Sequence, residues 1–213
     1  MTASRPLSLA ASPPDGTAST APSTNDGPAK PPIGNALTEE QYLSGREAAL
    51  KWARENGFNE ESLVELPVAW GEQDANNHVN NAVYFKWLES GRLQYLNALG
   101  DHLDPADAKD LRGAGKGKGP ILARITFDYR KPTFYPDNVL VAHKPLQVSA
   151  KKMVTHAAVY SYAQQGVVGT SDSVTVSFDY DVGKSCAWPA AFIDLLVERG
   201  AERLEASASQ AKL

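Results

Sequence analysis

The sequence predicts an α+β fold in which an antiparallel sheet lies against one long helix. Three observations carry that reading. Apolar residues recur at helical spacing between about Asn80 and Gly100. After Pro120 they recur at every second position, the period of a half-buried strand. Turn residues then divide the following segments into hairpins, and strands that follow a helix in this way favour antiparallel pairing with the helix on one face.

The elements follow in chain order. Half of the 14 prolines fall before Leu37, among Ser, Thr, Ala and Gly, so residues 1–36 have too little apolar surface to offset the entropy of ordering and are expected to be disordered. Arg5 is alone there and falls short of the Arg-rich pattern of a transit peptide. The folded domain is expected over 37–205, with a flexible tail over 206–213. Thr38 and Gln41 have the spacing of a capping box and Gly57 is a helix stop, which predicts an extra N-terminal helix between them. Leu63 to Trp70 reads as a first strand, and the Asn-rich run from Gly71 to Asn81 has the chemistry of a loop.

In the long helix, Tyr84, Leu88, Tyr95 and Leu99 form a stripe flanked by Trp87, Leu96 and Gly91. Glycine costs a helix ~1 kcal/mol against alanine, so Gly91 is expected where the helix approaches another backbone. Asp101 to Gly119 reads as loop, ending in a glycine-lysine run that lacks both the phosphate-loop and the dinucleotide spacing. Ile121, Ala123, Ile125, Phe127 and Tyr129 then face one way, opposite Arg124, Thr126, Asp128 and Arg130. Val139 to Val148 forms a second strand, in which Pro145 marks an edge or a bulge, and Lys152 to Ala163 a third. After the turn at Gln164-Gln165-Gly166, a fourth strand is read with Val174, Val176, Phe178 and Tyr180 inward and Ser173, Thr175, Ser177 and Asp179 outward. Trp188-Pro189 leads into a polar-biased C-terminal helix through Glu205.

Bulk properties narrow the function classes. A net charge of -4 offers no global positive field for nucleic acid or an anionic membrane. No apolar run approaches the ~18 residues of a membrane span. The single cysteine, Cys186, allows no internal disulfide and no cysteine cluster for zinc, and reads as an inert thiol.

The order strand, Asp-containing loop, long helix and four antiparallel strands is that of a hotdog domain, in which the sheet wraps the helix. The run from Val68 to Phe85, with Asp74, His78-Val79-Asn80-Asn81 and Tyr84, resembles the signature of the 4-hydroxybenzoyl-CoA thioesterase-like hotdog family. The resemblance spans roughly residues 63 to 180 and departs at Asn77, where these proteins often carry glycine. It implies an acyl-CoA thioesterase with Asp74 as the catalytic carboxylate and a backbone N–H near Asn81 holding the carbonyl oxygen. It also implies a homodimer or homotetramer, paired sheet edge to sheet edge, with the active site between two subunits.

The local chemistry agrees independently. Thioester cleavage needs an activated water or a carboxylate nucleophile, together with donors for the developing oxyanion. Asp74 lies just ahead of the helix, whose first N–H groups lack internal acceptors and carry the positive end of the dipole. Direct attack by Asp74 and activation of water both remain open. An isolated loop aspartate would more simply be an Asx-turn or cap residue. His78 is a candidate for orienting water or the carbonyl, or else a structural hydrogen-bonder. Tyr84 and Trp87 read as core residues first, with Tyr84 also a candidate for the acyl pocket. Arg130 and Lys131, with Lys116 and Lys118, are candidates for the phosphates of CoA at the pocket mouth. No metal is expected, since Asp74 and His78 have no second nearby histidine or H-E-x-x-H motif. No cofactor is called for. No G-x-S-x-G elbow points to a serine hydrolase. The rival functions are a non-catalytic hotdog protein that binds acyl-CoA or another hydrophobic ligand, and a hotdog hydratase, a class that commonly places an Asp-His pair differently.

Ala211-Lys212-Leu213 resembles the S-K-L peroxisomal address with Ala in place of Ser, which predicts a peroxisomal location and an import receptor as partner, against cytoplasmic or mitochondrial alternatives. An N-terminal fluorescent fusion is expected to be punctate, and a C-terminal fusion that masks Leu213 to be cytosolic. Punctate signal from both would exclude the tail as the address.

Overall fold

A computed structural model describes residues 36–112 and 115–205. The expectations for the proline-rich segment before Ala36, for Gly113 and Ala114 and for the tail that ends in Ala211-Lys212-Leu213 lie outside the described residues.

Helix α1, Glu39–Glu55, begins with the expected capping box: Gln41 N donates to Thr38 Oγ1 and Thr38 N to Gln41 Oε1. Strand β1, Leu63–Pro67, ends three residues earlier than expected, because Pro67 is its last ladder residue and Trp70–Glu72 turns into a 3-10 segment. Helix α2, Asn81–Gly100, is the long central helix. A short helix α3, Pro105–Arg112, replaces part of the expected loop. Asp104 caps it by accepting from Ala106 N and Asp107 N at 2.9 and 3.1 Å, and Pro105 opens its first turn. Strands β2, Lys118–Tyr129, β3, Asn138–Val148, β4, Lys152–Ser161, and β5, Gly166–Asp179, complete the sheet in the order β1-β3-β4-β5-β2, every neighbour antiparallel. Two-residue strands β6, Lys184–Ser185, and β7, Glu202–Arg203, flank helix α4, Ala190–Glu198. The C-terminal helix is therefore shorter than expected, ending before Gly200 at φ 98°, and it buries Phe192, Leu195 and Leu196.

The sheet curls around α2 and divides its side chains between two cores, which is the hotdog arrangement. On the inner face, Val139, Val141, Ala157 and Val159 pack with Val83, Tyr84, Trp87 and Leu88 of α2. Farther along, Tyr95, Leu96 and Leu99 meet Met153, Val148 and the α4 residues. Each fully buried Leu of this kind contributes about 1.5–3 kcal/mol, more than the ~1 kcal/mol that Gly91 costs the helix. Gly91 makes room for side chains and not for a backbone, since a Cβ there would meet His143 Cε1 at 2.6 Å and Val141 Cγ1 at 2.9 Å. The close approach to backbone is made by α1, where a Cβ on Gly45 would lie 2.7 Å from the Tyr162 carbonyl oxygen. Helix α1 covers the outer face over Leu140, Ala142, Ala158 and Tyr160. Glu65 fastens it there by accepting from Arg46 Nε, Tyr42 Oη and Tyr162 Oη.

Two facing expectations are overturned, the first by a bulge. An extra residue at Ala123 reverses the alternation of β2, so Ile121 pairs with Val176 away from the helix while Ile125, Phe127 and Tyr129 face it. In β5, Thr175 lies opposite Met153, an inner core residue, and Ser173 opposite Thr155. Ser173, Thr175 and Ser177 are thus the buried inner set, with 5%, 1% and 3% exposure, and Val174, Val176 and Phe178 sit on the outer face. Two of these short hydroxyl side chains bond sideways, Ser173 Oγ with Thr155 Oγ1 at 2.7 Å and Ser177 Oγ with Cys186 Sγ, whereas Thr175 Oγ1 has no hydrogen-bond partner among the described residues. Pro145 sits at a bulge in β3, which is an interior strand.

Asp137, just ahead of β3, is the buried acid of the fold. Its carboxylate accepts from Ser161 Oγ, Asn138 N and Ala163 N, and its carbonyl from Val68 N, which ties the β3–β4 end to the start of the site loop. Burial nevertheless outweighs these bonds and pushes its carboxyl from 3.8 up to about 6. A raised acid pKa means the folded state binds the proton more tightly. The stabilising contribution is therefore present below pH ~4 and is lost as pH rises through about 6, by about 3 kcal/mol in all. Denaturant melts of Asp137→Asn beside the parent should show the parent's loss of stability between pH 4 and 6 removed in the variant, and parallel pH profiles would refute the assignment.

Candidate active site

The loop from Val68 to Asn80 is held at both ends by backbone bonds. Val68 N donates to Asp137 O at 2.9 Å and Val79 N to Thr133 O at 2.8 Å. Glu72 draws the loop together, its side chain accepting from Ala69 N and its carbonyl from Asn80 N. Within this frame Asp74 N donates to His78 O and Asn77 N to Asp74 O, both at 2.9 Å, closing a tight turn. Asn77 adopts φ 59°, the left-handed region that glycine enters freely and asparagine tolerates. The departure from the family signature therefore leaves the turn intact. Asp74 Oδ1 accepts from Asn76 N at 2.7 Å in an Asx-turn, so one carboxylate oxygen shapes the loop and Oδ2 is left for other use.

Helix α2 starts immediately after. The Asn80 side chain caps it by accepting from Ala82 N at 2.9 Å. The N–H of Asn81, one residue earlier, has no acceptor among the described residues. Asp74, His78, Asn81, Tyr84, Arg130 and Lys131, the six expected site residues, line one open pocket of about 360 Å³ together with Val79, Tyr129 and Pro132. His78 Nδ1 stands 3.9 Å from Asp74 Oδ2, too far for a hydrogen bond, and 3.4 Å from Val79 O. Arg130 and Lys131 donate their backbone N–H groups to Val168 O, and Arg130 Nη2 reaches Thr170 Oγ1 at 3.3 Å. Lys116 and Lys118, the other expected phosphate contacts, lie at the opposite end of β2 and are not in this pocket.

Two tyrosines form the wall. Tyr84 is 2% exposed and donates to Thr133 Oγ1 at 3.0 Å, and Tyr129 donates to the carbonyl of Asn81 at 3.1 Å, bracing the first residue of α2. Their rings meet edge to face at 5.3 Å. Burial pushes both phenols up, so they stay protonated as donors. The alternation of the sequence places Tyr129 on the inner face but gives it no part in the site. Its position immediately before Arg130 is the signal that could have done so. Among the described residues, no group of three or more His, Cys, Asp or Glu is placed to hold a metal ion.

The model of the thioesterase-like superfamily matches residues 68–196. No curated protein matches the chain. Among solved structures, the PA2801 protein of Pseudomonas aeruginosa is similar at 26% identity and TM-score 0.51, over 60% of this chain and 91% of that one. The DHNA-CoA thioesterase of Staphylococcus aureus shares 19% identity at TM-score 0.53, over 67% of this chain and 97% of its own. A thioesterase from Thermus thermophilus complexed with coenzyme A and Zn shares 22% identity at TM-score 0.51, over 63% and 95%.

The left-handed backbone at Asn77 yields a direct test of the loop. Asn77→Gly should leave thermal stability within a few tenths of a kcal/mol. Asn77→Val should cost about 1–2 kcal/mol, because a β-branched side chain collides with the backbone there. Equal melting of the two variants would show that residue 77 is not held in this conformation.

Proposed function

The chain belongs to the thioesterase-like superfamily, and from that premise we propose that it hydrolyses the thioester of an acyl-CoA to the free acid and CoA. The observation that carries the reading is the convergence of the free Asp74 Oδ2 and the unpartnered Asn81 N–H on one pocket. Asp74 either adds to the thioester carbon itself, giving an anhydride that water then opens, or takes the proton of the water that adds. In both routes the carbonyl electron pair moves onto oxygen, where the Asn81 N–H and the positive end of α2 stabilise it. Collapse breaks the carbon–sulfur bond and expels the CoA thiolate, which is then protonated. His78 borders the pocket mouth and orients water or the carbonyl, while Tyr84 contacts the acyl group from the inner wall.

An acyl-CoA as substrate is supported by Arg130 and Lys131 at the pocket and by the coenzyme A bound to the Thermus neighbour of the same fold. The finer placement beside 4-hydroxybenzoyl-CoA thioesterases rests on the signature from Val68 to Phe85. The working unit in this proposal is a homodimer, or a homotetramer built from it, and Ala211-Lys212-Leu213 directs the protein to the peroxisome. Strand β2 ends the sheet order, and Phe85, Leu122 and Tyr129 beside it expose apolar surface that a second copy would cover.

Asp74→Asn decides between catalysis and ligand binding alone. Asparagine keeps the Asx-turn, so stability should change by at most ~1 kcal/mol. Thiol release from a panel of aromatic, short and long acyl-CoAs should fall by ~10²-fold or more, with acyl-CoA binding little changed. Near-parental turnover in the folded variant would remove Asp74 from the chemistry, and a parent that binds acyl-CoA without releasing thiol would be a binding protein.

A further inference from the structure

Five consecutive backbone N–H groups, Val79 to Val83, run through the start of α2, and four of them are spent. Val79 N donates to Thr133 O, Asn80 N to Glu72 O, Ala82 N to Asn80 Oδ1 and Val83 N to Asn80 O. The Asn81 N–H is the one that keeps no acceptor among the described residues. A single donor is a thin supply for a thioester oxygen that takes up a full negative charge, because the helix dipole adds field there but no further hydrogen bond. A second donor has to come from a side chain.

The side chains that line the pocket narrow the choice. Tyr84 is buried and donates to Thr133 Oγ1, Arg130 Nη2 donates to Thr170 Oγ1, and the Lys131 ammonium lies over Gly166 at the β4–β5 turn. Tyr129 differs from all of these. Its hydroxyl donates at 3.1 Å to the carbonyl of Asn81, the same residue whose N–H is free. As the first carbonyl of α2, that oxygen also receives the helix's own i→i+4 bond, so the phenol can leave it without stranding an acceptor. Backbone bond lengths keep the N and O atoms of one residue within ~4 Å of each other, which puts Tyr129 Oη within ~7 Å of the Asn81 nitrogen. Two donors can share one oxygen at ~2.8 Å from each when they stand ~5.6 Å apart, so a swing of ~1–2 Å brings the hydroxyl into place. The ring swings in a defined slot, edge to face with Phe127 at 4.6 Å and with Tyr84 at 5.3 Å. Phe127 is itself seated on Gly169, where a Cβ would overlap its ring.

We propose that Tyr129 is a catalytic residue, the second hydrogen-bond donor to the thioester oxygen, and that the Asn81 carbonyl holds its hydroxyl in reserve until charge develops. The inference rests on the thioesterase reading above. In the free protein the phenol is parked on a neutral amide oxygen. An oxyanion is the stronger acceptor, since a hydrogen bond to an ionised group is roughly twice as strong as one between neutral groups. The hydroxyl therefore transfers to the thioester oxygen as the carbonyl electron pair moves onto it, and it keeps its own proton throughout. Burial, which pushes the phenol up, keeps it protonated for this purpose. A bond that strengthens only as charge appears stabilises the transition state more than the bound substrate, so its effect falls on kcat and not on KM.

The test begins with Tyr129→Phe in the full-length chain, which keeps the ring and removes the hydroxyl. On acyl-CoAs the folded variant should lose about 10²-fold in kcat, with KM within about twofold of the parent. A second readout separates a donor from a mere brace on the helix. In Asp74→Asn, which holds acyl-CoA without turnover, the infrared stretch of an isotope-labelled thioester carbonyl reports the hydrogen bonds to its oxygen. Adding Tyr129→Phe should move that band to higher frequency. Fluorinated tyrosines at position 129 are stronger donors and should move it progressively lower, while the alkaline limb of the kcat profile shifts to lower pH as the phenol becomes more acidic. A kcat within twofold of the parent in Tyr129→Phe, a loss that falls wholly on KM, or a band that ignores fluorination overturns the proposal. If the parent releases thiol from no acyl-CoA, the thioesterase reading fails instead, and the carbonyl band of bound acyl-CoA still shows whether Tyr129 donates to it. If Asp74→Asn keeps its turnover, the role of Asp74 fails, and the kcat comparison still tests Tyr129.

Discussion

Ten of the 20 residues of the central helix are buried, and that requirement organises the rest of the molecule. Half of a helix's residues cannot be covered by a flat sheet, because a flat surface touches only a narrow stripe. The sheet must curl, and it does so with irregularities in register at Ala123 in β2, near Pro145 in β3 and between Val159 and Tyr160 in β4. Helix α4 and Trp188 close the far end of the same helix. The opposite end is left over the pocket, where Asn80 takes up the N–H groups of Ala82 and Val83 and the N–H of Asn81 keeps no acceptor among the described residues.

The loop that carries Asp74 is therefore braced from outside the helix. Two backbone bonds to the 133–137 segment and one buried carboxylate set its position, and Tyr129 reaches across to the first carbonyl of the helix. Asp74 divides its two oxygens between shaping the turn and facing the pocket. The simple reading of an Asx-turn residue and the catalytic reading thus describe different atoms of one side chain.

Much of this is legible in the sequence where a signal is local. The Thr38–Gln41 box, the start of α2 at Asn81 and the gathering of six site residues can be read from spacing and from the signature between Val68 and Phe85. Helix α3 is also legible in principle, since Asp104-Pro105 is a cap followed by a first-turn proline, but the surrounding glycines and charges mask it as loop. The facing of β5 is not legible. Alternation fixes which residues share a face but not which face meets the helix, and composition points the wrong way because the outer face keeps valines while the inner face carries hydroxyls, of which Ser173 and Ser177 bond laterally and Thr175 does not. The bulge at Ala123 likewise leaves no trace in a run of apolar residues, although it decides which way Ile121 and Leu122 point.

Helix α1 lies ahead of the stretch shared with the superfamily, and it rests on the outer face of β3 and β4 through Leu140, Ala142, Ala158 and Tyr160. Sheets that stack back to back need that face bare, at a spacing of ~10 Å that leaves no room for a helix between them. With Gly45 seated against the backbone of Tyr162 and Glu65 gripping Arg46 and two tyrosines, α1 acts as a permanent spacer. An assembly larger than a pair would have to stack through the α1 helices themselves or through the uncovered outer surface of β5 and β2. Its geometry would then be set by an appended helix, and not by the wrapped sheet common to the fold.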